Sequence, residues 1–289
     1  MDRAVREAIE QALGERVEQV TPLGGGDINE AYALRLETGR TVFAKANRRA
    51  NAKMFPAEAR GLSWLAEARA LRIPKVLAVS RDSPDEPAFI VLEYLPSGRP
   101  VPGFDERLGR GLAALHQHGA ETFGLDHDNF IGRLPQRNSA SARWVDFYRQ
   151  HRLQPQLDLA VSKGLASAKM RKSFARLFAR LEDGVGPDEP PARLHGDLWG
   201  GNLHVDESGA PTLIDPAVYG GHREMDLAMM RLFGGFAPRV FEAYDEAYPL
   251  APGHQDRVAL YQLYPLMVHV NHFGGSYVAS VERALARYV

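Results

Sequence analysis

The chain has 289 residues, 45% hydrophobic and 25% charged, with a net charge of −1. That length can bury a sizeable core, in one domain or two lobes, and the balanced charge offers no electrostatic footprint for nucleic acid or a membrane surface. No run is long and apolar enough to span a bilayer, the N-terminal MDRAVREAIEQALG lacks the apolar core of a signal peptide, and the absence of cysteine excludes disulfides and thiolate metal sites and fits a cytoplasmic location.

Residues 2–13 have the period of an amphipathic helix, with Val5, Ile9, Ala12 and Leu13 on one side. Strand-like segments follow: 17–23, running into Gly24-Gly25-Gly26, then 28–36, a turn at 37–40, and 41–46. They predict an antiparallel meander. Residues 55–71 return to helical period, and 75–80 and 88–94 read as two more strands around Asp82-Ser83-Pro84-Asp85. A short linker rich in Pro and Gly (Pro96 to Gly103) marks a change of texture. Beyond it helical patterns dominate, at 104–118, 141–162, 167–182, 223–233, 238–247, 256–270 and 276–287, with loop and short strands confined to 192–215. A β-rich first third and a helical remainder predict an α+β chain of two lobes, 1–94 and 95–289.

The chemistry concentrates in His195-Gly196-Asp197-Leu198-Trp199-Gly200-Gly201-Asn202 and Leu213-Ile214-Asp215. Phosphoryl transfer needs one carboxylate to accept a hydroxyl proton and oxygen ligands for magnesium. Asp197 is the candidate base, and Asn202 and Asp215 are the candidate metal ligands. His195 reads as structural, buried and bonded to backbone. Trp199 offers an apolar face suited to a sugar ring, with room left by Gly200 and Gly201, or is a core tryptophan. Gly24, Gly25 and Gly26 can fold over a polyphosphate with their backbone N–H groups, or form a plain hairpin turn. The triplet lacks the GK[ST] ending of a Walker loop.

Lys45 ends the third strand as a candidate phosphate contact, with Glu58 on the next helix to orient it. Two surface charges are the alternative, but the order of strand, glycines, strand, lysine strand and glutamate helix is kinase-like. In such a lobe Glu93, Tyr94 and Leu95 would border the adenine edge; a plain core strand is the other reading. Asp226 opens a predicted helix and reads as an anchor for the catalytic-loop backbone, or as a carboxylate favoured by the helix dipole. His269 and His272 share a helix end, with His272 a candidate substrate contact. A metal-dependent hydrolase is the rival for Asp197, Asn202 and Asp215, but His204 and His222 lack the spacing of a ligand set.

These residues resemble the fructosamine kinases, or ketosamine-3-kinases, within the aminoglycoside-phosphotransferase-like branch of the kinase superfamily. The similarity covers nearly the whole chain. It rests on Gly24–Asn29, Phe43-Ala44-Lys45, Glu58–Leu62, Asn129–Gln136, HGDLWGGN, Asp215-Pro216-Ala217, YGGHREMDLAM and NHFGGSY. The resemblance implies a bilobal protein-kinase-like fold with a small antiparallel sheet, one main helix and a larger helical lobe. It also implies ATP and Mg2+ as cofactors. The implied reaction phosphorylates O3 of a ribulosamine, erythrulosamine or fructosamine on a free or protein-bound amine, and the unstable product leads to deglycation. Aminoglycoside, choline or homoserine kinases and a nucleotide-binding pseudokinase are the alternatives. The oligomeric state stays open between a monomer and a weak dimer. Asp27 stands where some relatives carry a redox-switch cysteine, so thiol control is excluded. Asp215-Pro216-Ala217 lacks the Phe-Gly of protein kinases and speaks against their activation-loop switch.

Overall fold

A computed structural model describes residues 1–24, 29–47, 51–83 and 86–288. Gly25, Gly26, Asp27 and Ile28 lie outside the described residues, as do Pro84 and Asp85 of the expected turn. The chain forms two compact units, Met1–Phe104 with Leu203–Pro216, and Asp105–Asn202 with Ala217–Val289.

The first unit opens with α1 (Arg3–Leu13), whose first turn is capped by the Asp2 carboxylate accepting the Ala4 N–H at 2.8 Å. Gly14 ends it in the left-handed region at φ 69°. The sheet contains β1 (Val17–Leu23), β2 (Glu30–Leu36), β3 (Thr41–Ala46), β4 (Val76–Val79) and β5 (Phe89–Glu93), in the spatial order β1-β2-β3-β5-β4. Every pairing is antiparallel, as the meander pattern predicts. Alternation sends Tyr32, Leu34 and Leu36 of β2 and Val42 and Ala44 of β3 to one core with Val5 and Ile9 of α1. Lys45 therefore points to the opposite face from Val42 and Ala44, and yet is buried at 6% exposure.

The main helix of this unit, α2 (Met54–Glu67), stops four residues before the predicted 71. Arg69 adopts φ 50°, which a helix cannot continue through. The turn delivers Arg72 to Asp206, 2.5 Å away, in the hairpin made by Leu203–Val205 and Pro211–Leu213. Burial works to raise the Asp206 carboxyl, but the Ser208 hydroxyl, Arg72 and the N–H groups of Ala210 and Ser208 outweigh it and hold the carboxyl far below the usual range. Gly98 of the linker is required here, because a Cβ would fall 2.0 Å from the Asp206 carbonyl oxygen.

The second unit is mostly helical, beginning in α3 (Phe104–His118) and packing around Trp144, Phe147, Tyr148, Tyr219, Tyr261 and Tyr264. Several predicted boundaries change. The run 141–162 is three segments: Trp144–Phe147, a π-helical stretch Tyr148–Leu153, and Gln154–Ser162. The run 256–270 is two helices, His254–Tyr261 and Leu263–Phe273, and 276–287 is a short 3-10 turn followed by Val278–Leu285. Strands are not confined to 192–215: Asn129–Ile131 pairs with Leu134–Gln136, and Tyr219–Gly221 pairs with Ala192–Leu194. Three-residue strands are too short to show a period. Among the described residues no helix is long and apolar enough to cross a membrane.

Candidate active site

In the first unit Lys45, Glu58 and Asp215 meet. The Lys45 ammonium lies 2.9 Å from Glu58 Oε1 and is also in direct contact with Asp215 Oδ1. Burial alone would push the ammonium pKa down, but the two carboxylates outweigh it and hold Lys45 charged, with its pKa above the usual lysine value. Burial pushes the Glu58 carboxyl up, and Lys45 opposes that shift. Asp215 sits at φ 56°, a left-handed conformation that aspartate tolerates better than most side chains. Backbone strain of this kind gathers at functional positions.

Gly24 has open space where a Cβ would be, and Gly25 and Gly26 lie outside the described residues. At the end of β5 the Glu93 carboxylate accepts the Lys75 N–H at 3.1 Å and stands 3.9 Å from Arg72. Tyr94 and Leu95 are half-buried.

In the second unit the catalytic-loop sequence folds as one tight unit. Asn202 Nδ2 donates to the Asp197 carbonyl at 2.8 Å and to its carboxylate at 3.2 Å. Both bonds turn the Asn202 amide nitrogen toward Asp197. His195 is fully buried, and its Nδ1 accepts the Asp197 N–H at 3.3 Å.

Asp226, 1% exposed, sits beneath the loop. Its two carboxylate oxygens accept the His195 N–H at 2.8 Å and the Gly196 N–H at 2.9 Å. Sequence reasoning did not identify His116, whose Nε2 is 3.2 Å from Asp226 and whose Nδ1 is 2.8 Å from the Tyr244 hydroxyl. Burial works against ionising Asp226, but His116 and the backbone donors outweigh it, so its pKa is lowered. Gly196 is required because a Cβ would lie 2.0 Å from the Ala217 carbonyl oxygen.

Trp199 is 41% exposed, which removes the core-tryptophan alternative. The role of Gly201 differs from expectation: a Cβ there would meet the Trp199 ring at 2.3 Å, so this glycine makes room for the indole itself. The indole meets Phe233 edge-on at 6.4 Å, Phe233 lies 4.7 Å from His269, and His269 touches Phe273 and Tyr277. Trp199, Phe233 and Phe273 thus form an exposed aromatic ledge that begins two residues after Asp197. His272 adjoins Phe273 at 5.6 Å and its Nε2 is 3.2 Å from the Ile131 carbonyl, with burial lowering its pKa.

His222 is walled in by Trp144 and Tyr261, and burial drives its pKa down to about 4. Among the described residues no group of three His, Asp or Glu side chains is placed to hold a metal. In the HREMD stretch, Arg223 forks onto Glu189 at 2.7 and 2.8 Å, and Glu224 pairs with Arg257. These are anchors for the helix that carries Asp226.

The fructosamine kinase family model matches residues 1–289. The chain belongs to the fructosamine kinase family. A relative in Lactiplantibacillus plantarum, named a probable ketoamine kinase, is 39% identical over 273 residues, covering 94% of this chain and 95% of the relative. The chloroplastic protein-ribulosamine 3-kinase of Oryza sativa is 34% identical over 279 residues, covering 95% of this chain and 80% of the relative. A fructosamine-3-kinase candidate from Thermobifida fusca superposes with a TM-score of 0.90 at 35% identity, covering 100% of this chain and 99% of the other. The aminoglycoside phosphotransferase APH(4)-Ia superposes with a TM-score of 0.66 at 16% identity, with 99% of each chain covered. This last likeness concerns fold alone: the family member has the kinase-like architecture, a small antiparallel sheet followed by a mostly helical remainder.

Proposed function

We propose that this family member is an ATP- and magnesium-dependent kinase for O3 of a ketosamine, with residues 1–94 serving the nucleotide and 95–289 the catalysis and the sugar. The observation that carries the reading is the meeting of Lys45 and Glu58 with Asp215, which lies 170 positions from Lys45 in the sequence. A lysine held between two carboxylates is positioned as a fixed charge for a nucleotide phosphate. Gly24, Gly25 and Gly26 would supply backbone N–H groups, and Glu93, Tyr94 and Leu95 would border the base.

The donors fit magnesium, because the Asn202 amide oxygen and the Asp215 carboxylate are hard oxygen ligands. Bound there, the ion would neutralise charge on the phosphates. Asp197 accepts the proton of the sugar hydroxyl. The hydroxyl oxygen bonds to the γ-phosphorus, and the bond to the bridging oxygen breaks, leaving its electron pair on ADP. The Asn202 side chain and the Asp226-anchored backbone hold Asp197 for that step.

The substrate side is the ledge of Trp199 and Phe233, with His272 beyond it. A sugar ring lays its C–H face on an indole, and the amine-bearing part of the substrate extends along the rest of the ledge. The ketosamine is favoured because the ribulosamine kinase of rice and this chain align over nearly all of this sequence. Phosphate on O3 becomes allylic once the product enolises toward the amine-bearing carbon, so it leaves and the amine is freed. That is the route to deglycation, for a free amine or a protein-bound one.

Asp197→Ala tests the base. Phosphorylation of a ribulosamine is expected to vanish while ATP binding by titration calorimetry survives. Turnover near the wild-type rate would show that another group takes the proton.

A further inference from the structure

The stretch Asn129–Gln136 marks the sequence, yet neither its amide side chains nor the nearby Asn138 enter the chemistry above. Its amide side chains converge on one neighbour. Asn129 Nδ2 donates to the Val218 carbonyl at 2.7 Å, and Gln136 Nε2 donates to the Ala217 carbonyl at 3.0 Å. Gln136 and Asn138 both also donate to Asn129 Oδ1, at 2.8 and 3.0 Å. Tyr264 donates its hydroxyl to Gln136 Oε1 at 2.6 Å. The ladder is buried throughout, with no member above 5% exposure.

Ala217 is the link to the loop. Its N–H donates to the His195 carbonyl at 2.9 Å, and its carbonyl fills the space that a Cβ on Gly196 would need. The two residues before Asp197 are therefore held against the segment that the amides grip.

Arg152 closes the far end. It is fully buried, donates to Asn138 Oδ1 at 2.7 Å and to the Arg137 and His151 carbonyls, and lies over the rings of Tyr219 at 3.8 Å and Phe147 at 4.5 Å. Among the described residues no carboxylate pairs with it. A buried cation without a counter-ion is costly, and an apolar side chain would pack there at less expense. It is carried by the π-helical turn Tyr148–Leu153, and such turns are frequent at functional sites. Burial pushes the Tyr264 hydroxyl up, and the charge of Arg152 opposes that shift.

We infer that Arg152, Asn138, Asn129 and Gln136 are positioning residues that hold the Ala217–Val218 peptides, and through them His195-Gly196, so that Asp197 is presented in register. The inference rests on Asp197 as the base.

Gln136→Met keeps the volume and removes the donor and acceptor. Its kcat is expected to fall about a hundredfold, the loss typical of a misplacement of about 1 Å, while KM for both substrates stays within about twofold. Tyr264→Phe is expected to act through the same bonds, so the double variant loses little more than the worse single one. Arg152→Met should match Gln136→Met, and Arg152→Lys should not rescue, because an ammonium cannot reproduce the fork over the rings. Hydrogen exchange at residues 195–199 should quicken in Gln136→Met while Ala168–Ala179 keeps wild-type protection. A Gln136→Met enzyme with kcat within about threefold of wild type (under roughly 0.7 kcal/mol of barrier) overturns the inference, as does unchanged exchange at 195–199. A wild-type enzyme that phosphorylates no ketosamine defeats the functional reading instead, and the exchange readout then decides the positioning claim alone.

Discussion

Replacing Asp226 with asparagine tests whether the catalytic loop is held from below. The carboxylate accepts two buried backbone N–H groups at 2.8 and 2.9 Å and faces His116 at 3.2 Å. In Asp226→Asn one oxygen becomes an NH2 that must face a donor. Losing one charge-assisted bond and weakening another costs about 3 kcal/mol, at about 1.5–3 kcal/mol per bond. Because the folded carboxyl is held below its unfolded value, its contribution is complete above the unfolded pKa of about 3.9 and fades as pH falls toward the folded one. Urea unfolding of both proteins from pH 8 to pH 3.5 measures the gap. It should be constant down to about pH 5 and narrow below about pH 4, where the unfolded wild-type carboxylate takes up a proton that the folded one resists. A variant within about 0.5 kcal/mol of wild type at pH 7 would refute the anchoring argument, since surface-like changes fall in that range.

Asp215→Ala is expected to abolish magnesium-dependent nucleotide binding in a calorimetric titration; an unchanged dependence on magnesium would count against the metal role. Gly201→Ala forces the Trp199 ring from its seat, because the added Cβ would fall 2.3 Å from it. The ketosamine KM should rise roughly tenfold, about 1.4 kcal/mol, with kcat less affected. Wild-type KM in that variant would mean the indole does not bear the sugar.

The elements that were legible are those with a long enough period. α1, β1 to β3 and β5 follow from alternation or amphipathic spacing, and the Lys45–Glu58 pair follows from their order along the chain. Asp226 could be read because a carboxylate at the start of an apolar helix is out of keeping with that face. Arg152 could not be read: an arginine among helical residues looks like a solvated one, and no local signal tells that Phe147, Tyr219 and Tyr264 close over it. His116 was hidden in the same way, occupying an inward position of α3 whose partners, Asp226 and Tyr244, come more than a hundred residues later. The ledge was half visible. Trp199 stood out, but its neighbours Phe233 and Phe273 sit at helix ends, where an aromatic residue usually reads as core.

The most direct measurement incubates the wild-type protein with ATP and magnesium and, in parallel, ribulosyl-lysine, fructosyl-lysine and an aminoglycoside, and reads each product by mass. The account predicts one added phosphoryl group on a ketosamine, with its phosphate on O3 by NMR, and none on the aminoglycoside. Phosphorylation of the aminoglycoside alone, or nucleotide binding with no transfer to either ketosamine, would contradict it.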